Sequence, residues 1–467
     1  MSKFDYGVIA IGSGSAGGAA AFVAKHCNVK VAVVEEFRDR LGGHCPNYAC
    51  VPTKALLNAA KVYKLVKGAA AFGIHADNPR FDFGEVAKYR DQVVAQLTGP
   101  RIERNLHNAG IDLLWGHARF VSEHEIEVTD GKDGKTRRLA AENIVIGTGS
   151  REFVPPIEGL KESGFITSDQ AVRFTELPES IIIVGAGPVG TEFAQVFSSF
   201  GVKVILLQKA PQILQREDSE IAEAVATQLR EQGVEIVTGM DVASVQKAGG
   251  RKIVTVKVGE SEKHFEAAEV MIAAGRRAHL DDLNLPAAGV AVTADGRLEL
   301  NEYLQTSKAH IWAAGDAAGN WQFTHTAAYE GDLVGRNICH RHDEAVNYDV
   351  IPRVTFCDPE VASVGMLASE AEKKGLDVRV EKFAIGGLGR ALIDLDRRGF
   401  VKLVADRKSN QILGGHIVGK EAGHLIHEIA LAVKGKMPVT ALARMIHAYP
   451  TYSEAVAAAA EKYLTFE

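Results

Sequence analysis

Residues 6–35 read YGVIAIGSGSAGGAAAFVAKHCNVKVAVVE, and this stretch decides the fold. Its apolar start predicts a strand, the alanine-rich run predicts a helix, and the valine-rich end predicts a second strand. In such a unit Gly12 makes a tight turn, Gly14 lets the backbone approach a pyrophosphate, and Gly17 lets helix pack on strand. Glu35 ends the second strand, where an acid binds ribose hydroxyls. The stretch therefore predicts a dinucleotide site.

The same unit returns 173 residues later, between Ile181 and Gln208. Under that offset Gly185, Gly187 and Gly190 superpose on the three glycines of the first unit. Such self-similarity is an internal repeat. The sequence therefore predicts an α/β chain with two Rossmann-like dinucleotide-binding domains.

The two units differ at the end of the second strand. An NAD site usually ends this strand in an acid that binds the ribose 2′-OH, whereas an NADP site drops the acid and adds a cation. Gln208 occupies the position of Glu35, and Lys209 follows it. This pattern favours NADPH, and NADH stays open because the amide of a glutamine also bonds a hydroxyl.

Residues 42–54, GGHCPNYACVPTK, place two cysteines before a run with apolar residues at helical spacing. Pro52 suits a first helical turn, so Cys50 lies at or near a helix N-terminus, where the helix dipole favours a thiolate. From these residues alone, Cys45 and Cys50 are either a redox pair or two unconnected buried thiols. No metal site is predicted, because no second Cys/His pair stands nearby.

Composition sets the broad class. A length of 467 residues predicts two to four domains, and 46% hydrophobic with 24% charged residues is typical of soluble globular proteins. The net charge of −6 without a basic run argues against nucleic acid as a partner. No apolar run approaches the roughly 18 residues of a membrane span, and without a targeting leader we expect a cytoplasmic protein. Five cysteines are few and odd in number, so we expect any disulfide to be catalytic rather than structural.

Several motifs in a fixed order carry a resemblance that covers essentially the whole chain. The chain resembles the class I pyridine nucleotide-disulfide oxidoreductases, the flavoprotein family of dihydrolipoamide dehydrogenase, glutathione reductase and mercuric reductase. The motifs are the two glycine units, Gly-Gly-x-Cys-x4-Cys-x-Pro-x-Lys at 42–54, Thr-Gly-Ser at 148–150, Ala-Gly-Arg at 274–276, Ala-Gly-Asp at 314–316 and Pro-Thr-x-Ser-Glu at 450–454.

The resemblance implies a homodimeric FAD enzyme with three domains. Alternating apolar runs at 400–404 and 412–418 independently predict an antiparallel sheet, and 422–433 predicts a helix. The implied domains are an FAD domain (1–152 and 275–345), an inserted NAD(P)H domain (153–274) and a C-terminal α+β dimerisation domain (346–467).

The resemblance also implies which residues bind the cofactors. The first glycine unit and Glu35 would hold the ADP half of FAD, and the second unit would hold NADPH or NADH. Further FAD contacts would come from residues along the FAD domain: Gly43, Ala118, Thr148, Gly149, Asp316 and His325. Gly275 would be a further cofactor-binding residue.

By the same resemblance, hydride passes from NAD(P)H through FAD to a Cys45–Cys50 disulfide and then to a small disulfide-type electron acceptor. Cys50 would be the thiolate that faces the flavin, and Cys45 the thiol that exchanges with the substrate. Lys54 would pair with Glu192 beside the reactive nitrogen of the flavin.

The catalytic base departs from the family pattern. Disulfide-reducing relatives carry a histidine, oriented by a glutamate, where this chain has Tyr449, so Glu454 lacks its usual partner. A phenol with an ordinary pKa near 10 is a poorer base at neutral pH than imidazole. The two candidates for a replacement are His44, which directly precedes Cys45, and His447.

This departure keeps two alternatives open. One is an NAD(P)H-dependent quinone or metal-ion reductase on the same scaffold, and the other is an FAD-bound redox sensor without turnover. Dedicated mercuric reduction is not expected, because no cysteine follows Cys357.

Overall fold

The structure is a computed structural model and describes residues 3–340 and 344–464. By contacts between residues it divides into two compact units. The first unit comprises residues 1–55, 84–153 and 275–346, and the second comprises 56–83, 154–274 and 347–467. The predicted boundaries of three domains stay a prediction.

The strands, in chain order, are β1 (Tyr6–Ile11), β2 (Val31–Glu35), β3 (Asp112–Trp115), β4 (His117–Phe120), β5 (Glu125–Thr129), β6 (Thr136–Ile146), β7 (Ser150–Glu152), β8 (Ile166–Thr167), β9 (Ser180–Val184), β10 (Lys203–Gln208), β11 (Glu235–Thr238), β12 (Asp241–Ala248), β13 (Arg251–Val258), β14 (Ser261–Ala267), β15 (Glu269–Ile272), β16 (Arg276–Ala278), β17 (Ile311–Ala313), β18 (Arg353–Thr355), β19 (Glu360–Gly365), β20 (Val378–Ala384), β21 (Phe400–Asp406) and β22 (Ile412–Gly419).

The α-helices are α1 (Ser15–Lys25), α2 (His44–Tyr48), α3 (Cys50–Gly68), α4 (Phe83–Leu97), α5 (Pro100–Asn108), α6 (Leu160–Ser163), α7 (Ser168–Ala171), α8 (Pro188–Ser199), α9 (Ser219–Glu231), α10 (Leu285–Ala288), α11 (Thr324–His340), α12 (Ala368–Lys373), α13 (Gly389–Ile393), α14 (Ala422–Lys434), α15 (Val439–Ala443) and α16 (Glu454–Glu461). Among the helices within the described ranges, none combines the length and the apolar composition that crossing a bilayer requires.

The first unit is built on a sheet whose order is β3-β2-β1-β6-β5-β4, and β17 pairs with β6. Strands β1, β2, β3 and β17 run parallel to their neighbours. Alternate residues of β1 enter two cores, since Val8 and Ala10 pack on one face and Ile9 and Ile11 on the other. A strand buried on both faces explains why the apolar run is continuous rather than alternating.

Helices α1 and α11 approach each other closely on one face of this sheet. A Cβ atom on Gly331 would lie 2.2 Å from the carbonyl oxygen of Ala16, and one on Gly335 would lie 2.6 Å from Cβ of Val23. Glycine is therefore required at both positions of α11, because any side chain would push the helices apart.

The second unit contains the repeat and the C-terminal region. Its parallel sheet has the order β11-β10-β9-β15-β8, beside a three-stranded antiparallel sheet of β12, β13 and β14. Its third sheet is antiparallel, with the order β18-β19-β22-β21-β20, and packs against α14 and α16. The predicted antiparallel sheet and the helix over 422–433 are thus confirmed, and the helix extends to Lys434.

The structure contains a disulfide that the sequence did not predict. Cys27 and Cys339 form it, whereas Cys45, Cys50 and Cys357 lie outside any disulfide. The packing of α1 against α11 brings together these two residues, which are separated by 312 positions. The expectation that any disulfide of this chain is catalytic stays a prediction.

Replacing Gly331 by alanine should lower the free energy of unfolding by about 1–3 kcal/mol, because the added methyl group meets backbone that cannot move aside. The thermal unfolding midpoint of the FAD-loaded protein measures this effect. Gly68→Ala is the matched control, since no atom beyond its chain neighbours and its own helix backbone lies within 4 Å of its added Cβ. Equal midpoints for the two variants would contradict the close packing of α1 and α11.

Candidate active site

The first glycine loop leaves backbone uncovered where a pyrophosphate would bind. Gly12 has φ of +105°, and a Cβ on Gly17 would lie 2.1 Å from the carbonyl oxygen of Gly12. A Cβ on Gly43 would lie 2.6 Å from Cα of Gly14, so a second glycine segment passes directly by the loop. Helix α1 begins at Ser15 and directs its unpaired N–H groups to this point. The loop is therefore a suitable anion site.

A cavity of about 240 Å³ lies at this loop. It is lined by glycine and serine residues of the loop and by apolar side chains, among them Ser13, Gly14, Ser15, Gly42, Phe22 and Ile102. The cavity and the side-chain-free backbone fit the phosphate end of FAD.

Glu35 ends β2 and is buried beside the loop. Its carboxylate accepts the N–H and the hydroxyl of Ser13, and also the N–H of Phe37 at 3.1 Å. Burial raises the pKa of Glu35, and the hydroxyl of Ser13 opposes that rise. The structure therefore gives Glu35 one definite task, which is to hold the loop; its contact with a ribose stays a prediction.

The other predicted FAD residues lie in the first unit. Ala118 is buried in β4, and the hydroxyl of Thr148 donates to the carbonyl of His279 at 2.7 Å. Gly149 adopts φ of +72°, and His325 stacks on Phe323. These contacts fix the positions of the four residues in the first unit. Their contact with FAD stays a prediction.

A buried hydroxyl at the start of α11 supports a ligand there. Thr326 is 3% exposed, and its Oγ1 has no hydrogen-bond partner among the described residues. A buried polar group without a partner costs about 1–3 kcal/mol, so a ligand that bonds it would be favoured. Thr326 was missed by the sequence analysis, although it adjoins the predicted His325.

The two cysteines lie at the ends of adjacent helices, Cys45 in α2 and Cys50 as the first residue of α3. Sγ of Cys50 lies 3.5 Å from Oγ1 of Thr324. A hydrogen bond with Cys50 raises the pKa of Cys45, and burial raises it further. The Cys45 thiol therefore holds its proton more firmly than an ordinary cysteine.

His44 is held by contacts within the first unit. Its ring stacks on Tyr48, and its Nε2 lies 3.7 Å from Oε1 of Glu152. Glu152 also binds Arg276 at 2.7 Å. These contacts place the ring beside a carboxylate, which is an arrangement that orients an imidazole. The role of His44 as a base stays a prediction.

Arg276 extends this network to a predicted FAD residue. It donates to the hydroxyl and the carbonyl of Ser150, both at 2.7 Å, and that hydroxyl donates to Asp316. Gly275 turns the chain before Arg276 with φ of +113°. The Ala-Gly-Arg motif marks Arg276 in the sequence, whereas Glu152 has no motif of its own and was not predicted.

The second glycine loop repeats the geometry of the first. Gly185 has φ of +107°, and a Cβ on Gly190 would lie 1.8 Å from the carbonyl oxygen of Gly185. Gly187 precedes α8 as its N-terminal cap. Oε1 of Gln208 accepts the N–H of Ala186 at 2.9 Å, as Glu35 accepts that of Ser13 in the first loop.

Lys209 lies beside this loop and is ion-paired. Its ammonium group lies 2.6 Å from the carboxylate of Asp241, and both side chains are exposed. The cation that favoured NADPH in the sequence is therefore accompanied by an acid that the sequence analysis missed.

Helix α8 carries Glu192, which is 3% exposed. Its carboxylate accepts the N–H of Phe356 at 2.9 Å, and Gln195 exchanges two hydrogen bonds with the backbone of Asp358 at 2.6 and 2.9 Å. Lys54 belongs to the first unit and Glu192 to the second, so their pairing stays a prediction.

Tyr449 replaces the histidine base of the family, and the structure shows the contacts of the residues around it. Tyr449 is 78% exposed in the single chain. Glu454 accepts the N–H of Thr451 at 3.0 Å, and Nε2 of His447 lies 2.8 Å from Glu428. Nδ1 of His447 lies 3.0 Å from a backbone carbonyl, so both of its ring nitrogens are engaged within its own subunit.

Sequence profiles identify the chain. The profile described as pyridine nucleotide-disulphide oxidoreductase matches residues 6–331, and the profile of that family's dimerisation domain matches 351–460. The chain belongs to the pyridine nucleotide-disulphide oxidoreductase family. The predicted family, fold class and enzyme class are confirmed, and membership implies FAD and NAD(P)H as cofactors.

Individual relatives are similar over nearly the whole chain. It is 34% identical to a mercuric reductase of Bacillus cereus over 465 residues, covering 100% of this chain and 72% of the relative. It is 34% identical to a dihydrolipoyl dehydrogenase of Geobacillus stearothermophilus over 454 residues, covering 97% and 95%. The structure of the HOCl-induced flavoprotein disulfide reductase RclA from Escherichia coli matches with a TM-score of 0.87 at 28% identity, covering 98% of this chain and 99% of that one.

The dimerisation domain supports a homodimer. In that region large apolar side chains are exposed in the single chain, including Leu392, Ile393, Leu395, Leu431 and Ile446, the last at 95%. Apolar side chains of this size are typical of a surface that a partner covers.

Replacing Cys50 by alanine should make Cys45 react with iodoacetamide at lower pH in the reduced protein. The hydrogen bond with Cys50 raises the pKa of Cys45, so its loss lowers that pKa and increases the thiolate present at a given pH. The pH dependence of Cys45 alkylation, followed by peptide mass spectrometry, measures the midpoint. Thr324→Val should shift the midpoint upward, because the bond from Thr324 lowers the same pKa. Shifts of the same sign in both variants would contradict this account.

Proposed function

We propose that this enzyme reduces a small disulfide with electrons from NAD(P)H through the Cys45–Cys50 pair. When bound, FAD accepts hydride from the nicotinamide and passes two electrons to a disulfide. The observation that carries the proposal is the position of two thiols, neither in a disulfide, beside Thr324, with Cys50 at the N-terminus of α3.

The two thiols suit different steps. The N-terminus of α3 stabilises negative charge on Cys50. Cys45 keeps its proton while Cys50 is charged, because their hydrogen bond raises the pKa of Cys45. Cys45 therefore needs a base before it attacks a substrate disulfide, and it becomes the exchange thiol once that proton leaves.

The replacement of the histidine base by Tyr449 lowers the expected rate of disulfide reduction. Loss of general-base help typically costs about 10²- to 10⁴-fold in rate. Both ring nitrogens of His447 are engaged within its own subunit, so His447 does not support the role of a substitute base. His44, which lies beside Glu152, stays the candidate for that role. We therefore propose a disulfide that is itself reactive, with a good leaving group, as the substrate class.

Reduction of a metal ion is the second candidate function. A reduced pair of adjacent thiols is a soft ligand set, and such ligands select soft metal ions. Two sequence relatives are named mercuric reductases, of Bacillus cereus and Staphylococcus aureus, and RclA has a structure described as its Cu(II) complex. Direct transfer to a metal needs no imidazole base, which fits Tyr449.

Anaerobic oxidation of NADPH and NADH should distinguish these functions. We expect turnover with glutathione disulfide, lipoamide or coenzyme A disulfide that falls at least about 100-fold in Cys45→Ser, since the exchange thiol is lost. Menadione reduction should survive in this variant and serves as the control for flavin loading.

Other outcomes assign the function differently. Turnover with Hg(II) or Cu(II) alone, lost in Cys45→Ser, would support the metal-ion candidate. Turnover with menadione alone, unchanged in the variant, would refute both candidates.

We propose NADPH as the preferred nucleotide. Oε1 of Gln208 is engaged by the loop, which leaves its NH₂ end for the ribose, and a donor suits a 2′-phosphate better than a carboxylate does. Asp241 reduces this preference, because its carboxylate neutralises Lys209. The exposed pair contributes at most about 1 kcal/mol, so a phosphate can displace it.

Gln208→Glu should lower kcat/KM for NADPH about 10- to 100-fold. The new carboxylate repels the 2′-phosphate, and the hydrogen bond from the Gln208 amide to the charged phosphate, worth about 1.5–3 kcal/mol, is lost. Steady-state kinetics with both nucleotides measure the ratio. Asp241→Asn is the matched control and should raise NADPH over NADH. An unchanged ratio in Gln208→Glu would contradict the proposal.

A further inference from the structure

A second pair of cysteines lies apart from Cys45 and Cys50. Cys27 follows the end of α1 by two residues, and Cys339 is the last residue but one of α11. They are joined as a disulfide with a Cα–Cα distance of 5.6 Å, which lies within the range of ordinary disulfides. Both residues are partly exposed, so small thiols and disulfides can reach them.

The disulfide joins helices that already pack against each other along their length. Gly331 and Gly335 bring α11 against the backbone of α1, as described above. The covalent link at the far end prevents the two helices from sliding or separating. It therefore fixes their position along a common axis.

The opposite ends of these helices carry the parts that serve the cofactor. The N-terminus of α1 follows the first glycine loop, which is the anion site for FAD. The N-terminus of α11 carries Thr324, which lies 3.5 Å from Cys50. A disulfide between the C-terminal ends of α1 and α11 thus holds the glycine loop more firmly against α11.

The surroundings of this pair are opposite to those of Cys50. Both sulfurs lie at helix C-termini, where the helix dipole disfavours a thiolate, whereas Cys50 lies at an N-terminus. Exchange depends on the thiolate, so Cys27 and Cys339 should form and break their bond slowly compared with turnover. The oxidation state of such a pair follows the ratio of small thiols to disulfides around the protein. Because exchange is slow, few of the electrons from turnover pass to this pair.

We propose that Cys27 and Cys339 are a second, regulatory redox pair, oxidised by a low-molecular-weight disulfide, whose bond slows the release of FAD. One cysteine thiolate attacks the small disulfide, forms a mixed disulfide and expels one thiolate. The other cysteine then attacks the mixed disulfide, and the second small thiolate leaves. The two cysteine protons pass to the two released thiols, the cysteine sulfurs lose two electrons, and the small disulfide gains them.

The first test uses the FAD-loaded wild-type protein, reduced with dithiothreitol, freed of reductant and treated with glutathione disulfide. Remaining thiols are blocked with N-ethylmaleimide, and peptides are mapped by mass spectrometry. We expect a cross-linked peptide containing Cys27 and Cys339 that forms more slowly than the cross-link between Cys45 and Cys50. If Cys27 and Cys339 are both found fully alkylated after treatment with glutathione disulfide, the proposal is refuted.

The second test measures the release of FAD by fluorescence after dilution. We expect release from the oxidised protein to be about 5- to 150-fold slower than from the reduced protein, the usual range of coupling between sites. Reductant also opens the Cys45–Cys50 bond, so the variants Cys27→Ala and Cys339→Ala are measured in the oxidised and in the reduced state. In both states these variants should release FAD as fast as the reduced wild-type protein, and their turnover with a disulfide substrate should be unchanged. Equal FAD release from wild type and variants in the oxidised state would refute the proposal.

Discussion

Each dinucleotide loop of this protein depends on one hydrogen bond from the strand beside it. Glu35 accepts the N–H of Ser13 in the first loop, and Gln208 accepts that of Ala186 in the second. The bond fixes the loop so that its glycine backbone and the following helix N-terminus face the same point. A carboxylate oxygen accepts this N–H in the first loop, and an amide oxygen accepts it in the second. The two units therefore differ in charge at this position while both keep the bond that holds the loop.

The dithiol depends on a different constraint, which is the start of a helix. Because α3 begins at Cys50, secondary structure favours negative charge on this sulfur. The hydrogen bond with that sulfur raises the pKa of Cys45, and burial raises it further. The helix start thus gives two chemically identical side chains different acidities.

The sequence predicted what depends on local pattern. The spacing of Gly12, Gly14 and Gly17 and the strand that ends at Glu35 predicted the loop, and Pro52 predicted the helix start near Cys50. Contacts between distant residues were not predictable, because no local pattern encodes them. The pairing of Lys209 with Asp241, the contact of His44 with Glu152 and the disulfide of Cys27 with Cys339 all depend on how helices and strands pack. The count of cysteines could not indicate which cysteines pair, for the same reason.

Helix α8 links two parts of the second unit. It begins at the second glycine loop, and its Glu192 and Gln195 bind the backbone of Phe356 and Asp358, within the region matched by the dimerisation profile. The second glycine loop and the segment at Phe356 and Asp358 are therefore held by one helix. Were a nucleotide at this loop to change subunit association, thermodynamic reciprocity would require association to change the affinity for the nucleotide by the same factor. The concentration of the protein would then be one of the variables that set its saturation with NAD(P)H.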